Sequence, residues 1–202
     1  MASKAINWKS PVPYLVIVFG GAAAVAIGVY GDRAGGGGSG SRRAKPARVA
    51  QDGYSYPVPK GYSVATGELQ EKVRATGGTA VFADRRIGGP QAFRGSVAVV
   101  PVRLDPVLGE AQLEVMAQPE KLCAEMRRRL PTTQNPRVVK LPSGAACQTS
   151  GQAPDHPFRM FIMTTLKHPR KPLAWVVTCN QDSRDPGAAR ACHRVLDGWR
   201  FE

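Results

Sequence analysis

Two segments near the C-terminus read Leu173-Ala-Trp-Val-Val-Thr-Cys179 and Cys192-His-Arg-Val-Leu-Asp-Gly-Trp199. In the first, large apolar residues occupy alternate positions, which predicts a β-strand. Its inward face would carry Leu173, Trp175, Val177 and Cys179. In the second, apolar residues recur at the spacing of one face of a helix that begins near Pro186. They are Cys192, Val195, Leu196 and Trp199, with Phe201 behind them. Together the two segments predict a core formed between a sheet and a helix.

The remaining strands and a second long helix are predicted upstream of these segments. Two short extended pieces flank a Pro-Lys-Gly turn within 54–64. Further strands are indicated at 79–84, 95–104, 137–141, 145–149 and 158–166. Pro101 indicates that the strand at 95–104 lies at an edge or contains a bulge. A helix from Pro119 would have an apolar stripe of Leu122, Cys123, Met126 and Leu130. This order predicts an α+β fold, with an antiparallel sheet flanked by helices.

The four cysteines are Cys123, Cys147, Cys179 and Cys192. An even number without a Cys-x-x-Cys pair is typical of disulfides in an oxidising compartment rather than of a zinc or redox site. Three pairings are open. We favour Cys123–Cys147 and Cys179–Cys192, because each joins a predicted helix to a strand that follows or precedes it. The alternative is four buried free thiols in a cytoplasmic domain.

An uncharged apolar run occupies residues 12–30, after a short tail at 1–11 that contains Lys4 and Lys9. A helix of this length spans roughly 28 Å, close to the thickness of the bilayer hydrocarbon core. We therefore predict a single transmembrane helix of the signal-anchor type. The alternative is a cleaved signal peptide, whose apolar core is usually at most about 15 residues long.

Small residues lie four positions apart on one face of this predicted helix. They are Gly20, Ala24 and Gly28. Such spacing allows two membrane helices to approach closely, so the face is a possible helix-packing site. Glycine and alanine can also simply fill an anchor, and both interpretations stay open.

A Gly/Ser/Arg-rich segment at 31–51 predicts a flexible linker to a domain at 52–202. Its basic residues would contact anionic headgroups or remain solvated. They are Arg33, Arg42, Arg43, Lys45 and Arg48. The positive-inside rule would keep the domain in the cytoplasm. The cysteines favour the other side, and most of these charges lie ten or more residues past the helix. We therefore predict a single-pass protein of the bacterial cytoplasmic (inner) membrane with a periplasmic, extracytoplasmic domain.

Several turns and apolar runs follow one another in a recognisable order between residues 54 and 202. They are the turn Pro59-Lys-Gly-Tyr62, the mid-chain helix, the strand entering Gly144-Ala-Ala146, the strands ending at Cys179, and a final helix running into Gly198-Trp-Arg-Phe201. This order resembles the PsbP-like (Mog-type) α/β/α sandwich. The resemblance implies an accessory or docking module on a membrane-associated assembly and carries no catalytic motif. The membrane anchor and the four cysteines depart from many members of that family.

The three histidines, His156, His168 and His193, show no spacing typical of a metal site. A catalytic nucleophile needs a base and an orienting partner, and no Gly-x-Ser-x-Gly motif is present. The sequence therefore predicts a protein that is not an enzyme, with no metal, cofactor or small-molecule substrate. The alternative is a membrane-anchored hydrolase that uses His156 or His168.

The formal net charge is +13, from 28 Lys and Arg against 15 Asp and Glu. Nearly half of the excess lies beside the apolar run, and the rest is spread along the domain. Nucleic-acid binding is therefore not favoured, since such proteins gather their charge on one element. The most basic part of the domain is a predicted turn at Lys167–Lys171, with Arg159 nearby in sequence. It is either a surface for an acidic partner or a solvated tip. The residues of that surface would be Arg159, Lys167, Arg170 and Lys171.

These patterns together predict a non-catalytic accessory module that is tethered to the lipid bilayer and docks on another membrane protein. Besides the hydrolase, a binder of anionic lipid or nucleic acid is an alternative. Its affinity would fall steeply with salt.

Overall fold

The structure is a computed structural model that describes residues 47–64, 71, 75, 77–83, 95–130, 134–152 and 159–202. The side chains at positions 82, 83 and 159 lie outside that description. So do the predicted tail, the membrane helix with Gly20, Ala24 and Gly28, and nearly all of the linker. Within the described ranges, no helix has the length and apolarity that crossing a bilayer requires.

Ten strands and three helices make up the described fold. The strands are β1 (Arg48–Gln51), β2 (Tyr54–Pro57), β3 (Tyr62–Val64), β4 (Thr79–Ala83), β5 (Gly95–Pro101), β6 (Arg137–Leu141), β7 (Gly144–Gln152), β8 (Arg159–Lys167), β9 (Ala174–Asp182) and β10 (Arg200–Phe201). The helices are α1 (Gly109–Met116), α2 (Pro119–Arg129) and α3 (Pro186–Asp197).

Seven strands form a large sheet in the order β3-β4-β5-β9-β8-β7-β6, and every neighbouring pair is antiparallel. β1, β2 and β10 form a separate small sheet. Helices cover both sides of the large sheet. The predicted α+β fold with an antiparallel sheet is therefore confirmed.

The large sheet has a buried apolar layer on each face. On what we call the α3 face, Trp175 and Val177 pack with Leu196 of α3 and with Tyr54 of the small sheet. On the opposite α2 face, Val176 packs with residues of α1 and α2. Because β9 is covered on both faces, its first six residues, Ala174–Cys179, are apolar except for Thr178, as expected for a strand buried on both sides.

Two helices begin where the sequence places them. Pro119 and Pro186 occupy the first turns of α2 and α3, where the missing backbone N–H costs nothing. The Asp185 carboxylate accepts a 2.8 Å hydrogen bond from the Gly187 backbone N–H and so caps α3. Leu130 is the C-cap of α2, because the helix ends at Arg129, and it is half-buried against the cluster that contains the other three residues of the predicted stripe.

Helix α1 was not predicted from the sequence. One of its two buried residues is Gln112, a polar side chain that gives no apolar stripe. Its Oε1 accepts a 3.0 Å hydrogen bond from the Asp105 backbone N–H. Asp105 Oδ1 in turn accepts from the backbone N–H of Val107, at 2.8 Å, just before the helix. A local hydrogen bond thus satisfies a polar side chain at a buried position of α1, where an amphipathic helix would usually have an apolar residue.

Two predictions about strands are corrected by the structure. Leu173 is 38% exposed because it lies in the turn before β9, although Trp175, Val177 and Cys179 are buried as predicted. β5 is neither an edge strand nor, in its pairing with β9, bulged. Pro101 is tolerated because it is the last residue of β5, beyond the β4 pairing that ends at Val99.

The boundary between linker and domain is also corrected. It falls before Arg48 and not after residue 51, because Arg48–Gln51 pair with β2 as strand β1. The Arg48 guanidinium donates hydrogen bonds to Ser55 Oγ, at 3.1 Å, and to the Gly198 carbonyl oxygen, at 2.9 Å. Arg48 is therefore part of the folded domain and not of the lipid-facing cluster suggested by the sequence.

The cysteines form the disulfides Cys123–Cys147 and Cys179–Cys192, with Cα–Cα distances of 5.5 and 5.8 Å, which is the favoured pairing. The first joins α2 to β7, and the second joins β9 to α3. Each disulfide therefore fastens one helix to one face of the large sheet, and the two lie on opposite faces.

Candidate functional site

The predicted basic surface is divided by the structure. Arg159 opens β8 in register with Asp182, whereas Lys167 closes the same strand in register with Ala174. Eight residues of strand separate their Cα atoms by about 26 Å. Arg159 therefore does not join Lys167, Arg170 and Lys171, which together form what we call the basic tip of the β8–β9 hairpin.

The basic tip is organised by a buried histidine. His168 is 4% exposed, and its Nδ1 accepts hydrogen bonds from the backbone N–H groups of Arg170, at 3.0 Å, and Lys171, at 2.9 Å. Because two donors point at Nδ1, that nitrogen carries no hydrogen. Nε2 therefore carries it and donates to the Glu202 backbone oxygen 3.2 Å away.

Residues Phe201 and Glu202 contact the basic tip and hold its backbone in place. The His168 ring packs edge-on against Phe201, with ring centroids 5.3 Å apart. Lys171 Nζ also donates to the Glu202 oxygen. The guanidinium of Arg170 remains exposed. The turn therefore presents its cations from a backbone that is held in place.

The same contacts bear on the hydrolase alternative. Both ring nitrogens of His168 are engaged by backbone groups, so this histidine is not available as a general base. His193 lies exposed on α3, and His156 lies outside the described residues. Across the described ranges, no cluster of three or more His, Cys, Asp or Glu side chains could hold a metal ion.

A second and larger basic surface lies around β6. Helix α2 packs against β7 and β6, and Arg127 Nε donates a 2.9 Å hydrogen bond to the carbonyl oxygen of Pro136, one residue before β6. The arginines that end α2 thereby lie near the start of β6, on the face of the sheet that also carries Lys140, whereas Arg137 projects from the same strand to the other face. We call this the β6 basic surface, and it consists of Arg127, Arg128, Arg129, Arg137 and Lys140.

Few carboxylates balance the β6 basic surface. Glu125 forms ion pairs with Arg129 at 2.7 Å and with Arg128 at 3.3 Å. No other carboxylate of the described residues pairs with any of its five cations. The Arg128 side chain is 77% exposed, so its ion pair contributes little to stability. The surface therefore retains a net positive charge that is open to a partner.

The register of the large sheet connects this surface to the basic tip. Lys140 is paired with Ala145, and the β7–β8 register that pairs Cys147 with Thr165 sets Ala145 beside Lys167. Lys140 and Lys167 thus occupy one row on the α2 face, about 10 Å apart across two strand spacings. Cations from α2, β6 and the hairpin form one extended basic region.

This gathering is not evident from the sequence, because the charges come from separate parts of the chain. One signal could have revealed it. The favoured disulfide Cys123–Cys147 attaches α2 to the predicted β6–β7 hairpin, and Val138 is in register with Cys147. Combining that disulfide with the hairpin would have placed the α2 arginines over β6, on the face that carries Val138 and Lys140.

The aromatic residues of the C-terminal segment are core. Tyr54 stacks on Trp199 with ring centroids 4.7 Å apart. The hydroxyls of Tyr54 and Tyr56, both in β2, hydrogen-bond to Thr79 Oγ1 at 2.9 Å and 3.0 Å respectively. Burial raises the pKa of Tyr54 to about 12, and it also raises the pKa of Tyr56 above its ordinary value. Both rings are completely buried, so this cluster stabilises the fold and offers no surface to a ligand.

No protein-family model matches the sequence, and no curated protein matches it. Among solved structures, a protein from Bacteroides thetaiotaomicron superposes with a TM-score of 0.50 at 10% identity. The match covers 79% of this chain and 49% of that protein, so this chain spans about half of its length.

Two further solved structures match over most of their length. The Ran-binding protein Mog1p of Saccharomyces cerevisiae has a TM-score of 0.42 and 12% identity. That match covers 77% of this chain and 96% of the Mog1p chain. LpqN of Mycobacterium tuberculosis, involved in cell envelope biogenesis, has a TM-score of 0.45 and 14% identity. That match covers 78% of this chain and 90% of LpqN. Both are Mog1/PsbP-like fold proteins. At these identities the likeness concerns the fold alone.

Proposed function

We propose that this protein is a non-catalytic interaction module, anchored in a membrane by its N-terminal segment, whose extracytoplasmic domain docks on another membrane protein. The observation that carries the proposal is the pair of disulfides, Cys123–Cys147 and Cys179–Cys192. Disulfides of this kind persist in oxidising compartments. They also hold both helical layers against the sheet, as expected of a domain that works outside the cytoplasm.

The docking part of the proposal is supported by the basic region. The β6 basic surface and the basic tip are exposed, and both lie on backbone held by secondary structure or hydrogen bonds. A rigid cationic surface attracts an acidic protein surface over distance and orients it during encounter.

The tether places that surface near the bilayer. The apolar run at 12–30 has the length of a membrane span. The remaining linker, residues 31–47, has a random-coil reach of about 23 Å. A domain on such a tether samples the layer just above the lipid headgroups, where the exposed parts of other membrane proteins are found.

The side of the membrane and the redox state are tested together in cells. A membrane-impermeant thiol reagent is added to intact cells, and the protein is then separated with and without reductant. We expect the protein in the membrane fraction, no free thiol, and faster migration without reductant. The control chain lacks residues 12–30 and is expected in the soluble fraction. Reduced thiols in a cytoplasm-facing domain would contradict the proposal.

Docking is tested by photo-crosslinking from single positions. A photoreactive residue at Lys140 or Lys171 reports on the basic region, and one at Asp197, exposed on α3, serves as the matched control. We expect the first two positions to give a covalent adduct with a defined membrane protein and Asp197 to give none. Equal adducts from all three positions, or no adducts, would speak against docking through the basic region.

A second candidate function, binding of anionic lipid headgroups, is favoured by the same gathering of cations. It predicts cosedimentation with phosphatidylglycerol vesicles that falls steeply with salt and is absent with phosphatidylcholine vesicles. Strong vesicle binding without a protein adduct would favour this second candidate over docking.

A further inference from the structure

Strand β6 ends the large sheet, and among the described strands only β7 pairs with it. Arg137, Val138 and Lys140 are exposed, and Val138 is 36% exposed although its side chain is apolar. An edge strand presents one row of backbone N–H and C=O groups that are ready to pair. Within the described part of the chain, β6 therefore offers an edge at the surface with which no further strand pairs.

The edge is regular along its whole length. β6 pairs with β7 residue by residue, from Arg137 with Gln148 to Leu141 with Gly144, and this register contains no bulge. Pro136 and Pro142 lie just outside the strand, so every residue of β6 keeps its backbone N–H. Natural edges are commonly protected by bulges, prolines or charges. β6 has charges alone.

A second copy of β6 would be a poor partner for this edge. If two β6 strands paired antiparallel about an axis between Val138 and Val139, Arg137 of each copy would face Lys140 of the other. Like charges directly opposite destabilise a strand pair. The three arginines that end α2 would add to this repulsion. The charge therefore selects against self-association and favours an acidic occupant.

We propose that β6 binds an extended segment of a partner protein as an added strand, and that this segment has the pattern acidic-apolar-apolar-acidic. The inference rests on the proposed docking function and specifies the segment that is docked. The acidic residues face Arg137 and Lys140, and the apolar residues face Val138 and Val139. The pattern is the same in both directions, so it fits a parallel or an antiparallel strand.

The alternation of side chains explains why both cations take part. Arg137 and Val139 point to the α3 face, while Val138 and Lys140 point to the α2 face. An added strand thus gains one opposite-charge pair and one apolar pair on each face. Backbone hydrogen bonds supply affinity, and these four side-chain pairs supply specificity, as in other cases of strand addition.

The test uses the full 202-residue chain in a zwitterionic detergent. The probe is a fluorescent eight-residue peptide with Glu-Val-Val-Glu at its centre, flanked by threonines. We expect saturable binding, together with slower amide hydrogen exchange across Arg137–Leu141. Replacing both glutamates of the peptide with lysine, or N-methylating its two valines, should each weaken binding at least about ten-fold. These peptide controls leave the protein unchanged.

Charge reversal on the protein provides the matched comparison. The double variant R137E/K140E should bind the acidic peptide at least about ten-fold more weakly and should gain binding of the lysine peptide. K60E/R103E makes the same change of charge at two exposed positions, just before β3 and just after β5, away from the β6 edge, and should change affinity by less than about three-fold. Intact disulfides and an unchanged unfolding midpoint establish that both variants are folded.

The inference would be overturned by equal weakening by the two double variants, by absence of exchange protection at Arg137–Leu141, or by equal binding of an N-methylated peptide. Polyglutamate, inorganic phosphate or anionic vesicles competing as well as the peptide would also overturn it, since charge alone would then explain binding. If crosslinks from Lys140 persist while the peptide fails, docking stands and strand addition does not. If the peptide binds and the crosslinks fail, β6 can accept an added strand but docking on a membrane protein is not supported.

Discussion

The Arg48 guanidinium donates a 2.9 Å hydrogen bond to the carbonyl oxygen of Gly198, a residue 150 positions later in the chain. Gly198 is the C-cap of α3, where unsatisfied carbonyl groups give the helix end a partial negative charge. The contact therefore neutralises the end of the last helix with a residue from the first strand. It also links the beginning of the domain to the end of its last helix.

Replacing Arg48 with methionine should lower the free energy of unfolding by about 1 kcal/mol, because a hydrogen bond to a helix end and a favourable charge are both lost. Urea unfolding measures the change. The matched control is R200M, which removes an exposed arginine of β10 without touching a helix end. A loss of the same size in R200M would show that net charge, and not the Gly198 contact, is responsible.

Each disulfide should stabilise the domain independently. Replacing Cys179 and Cys192 with alanine should lower the free energy of unfolding by about 3 kcal/mol, and replacing Cys123 and Cys147 should lower it by a similar amount. The reason is that each disulfide restricts the conformations of the unfolded chain, and the replacement removes that restriction. Since the two bonds lie on opposite faces of the sheet, their effects should add when both are removed. Denaturant unfolding of the three variants checks this. Strong non-additivity would contradict the two-layer arrangement.

The buried tyrosines predict a loss of stability at high pH. The pKa of Tyr54 is about 12 in the folded protein, against about 10 in an unfolded chain. A raised pKa means that the folded state keeps its proton longer. The stabilisation is therefore full below about pH 10 and is lost as the pH rises toward about 12, by up to about 1.4 kcal/mol per pH unit for each such tyrosine.

The variant Tyr54→Phe separates this effect from other alkaline titrations. It should be about 1 kcal/mol less stable at pH 8, because the hydrogen bond to Thr79 is lost. Its stability should then fall less steeply than that of the parent protein between pH 10 and pH 12. The free energy of unfolding, measured across that range, provides the comparison. Identical slopes would show that Tyr54 does not carry the predicted titration.

The role of His168 is testable by comparing alanine with asparagine. His168→Ala should cost about 2 kcal/mol, because the backbone N–H groups of Arg170 and Lys171 lose their acceptor. Asparagine places an oxygen near the position of Nδ1, so His168→Asn should restore part of this loss. Amide hydrogen exchange at Arg170 and Lys171 is the direct measurement. Equal exchange in the two variants would contradict the proposed acceptor role.

Much of the domain could be predicted from periodicity alone. β9 and α3 carry their apolar residues at spacings that only a strand and a helix place on one side. The pairing of Cys123 with Cys147 followed from the elements that hold them. α1 escaped prediction because Gln112 fills its buried face through a hydrogen bond, and hydrogen bonds leave no periodic signal.

Apolar residues that become buried recur at the spacing of the strand or helix that carries them. For that reason the sequence by itself determined the class of fold, the long elements and the disulfide pairs. The tertiary structure alone decided which surface charges meet. Arg127 and Lys140 come from different elements and lie on the same face of the sheet only because α2 packs over the β6–β7 hairpin. Solvated charges have no preferred spacing along the chain, because water accommodates them anywhere. Their arrangement therefore becomes visible only once the core has placed the strands and helices.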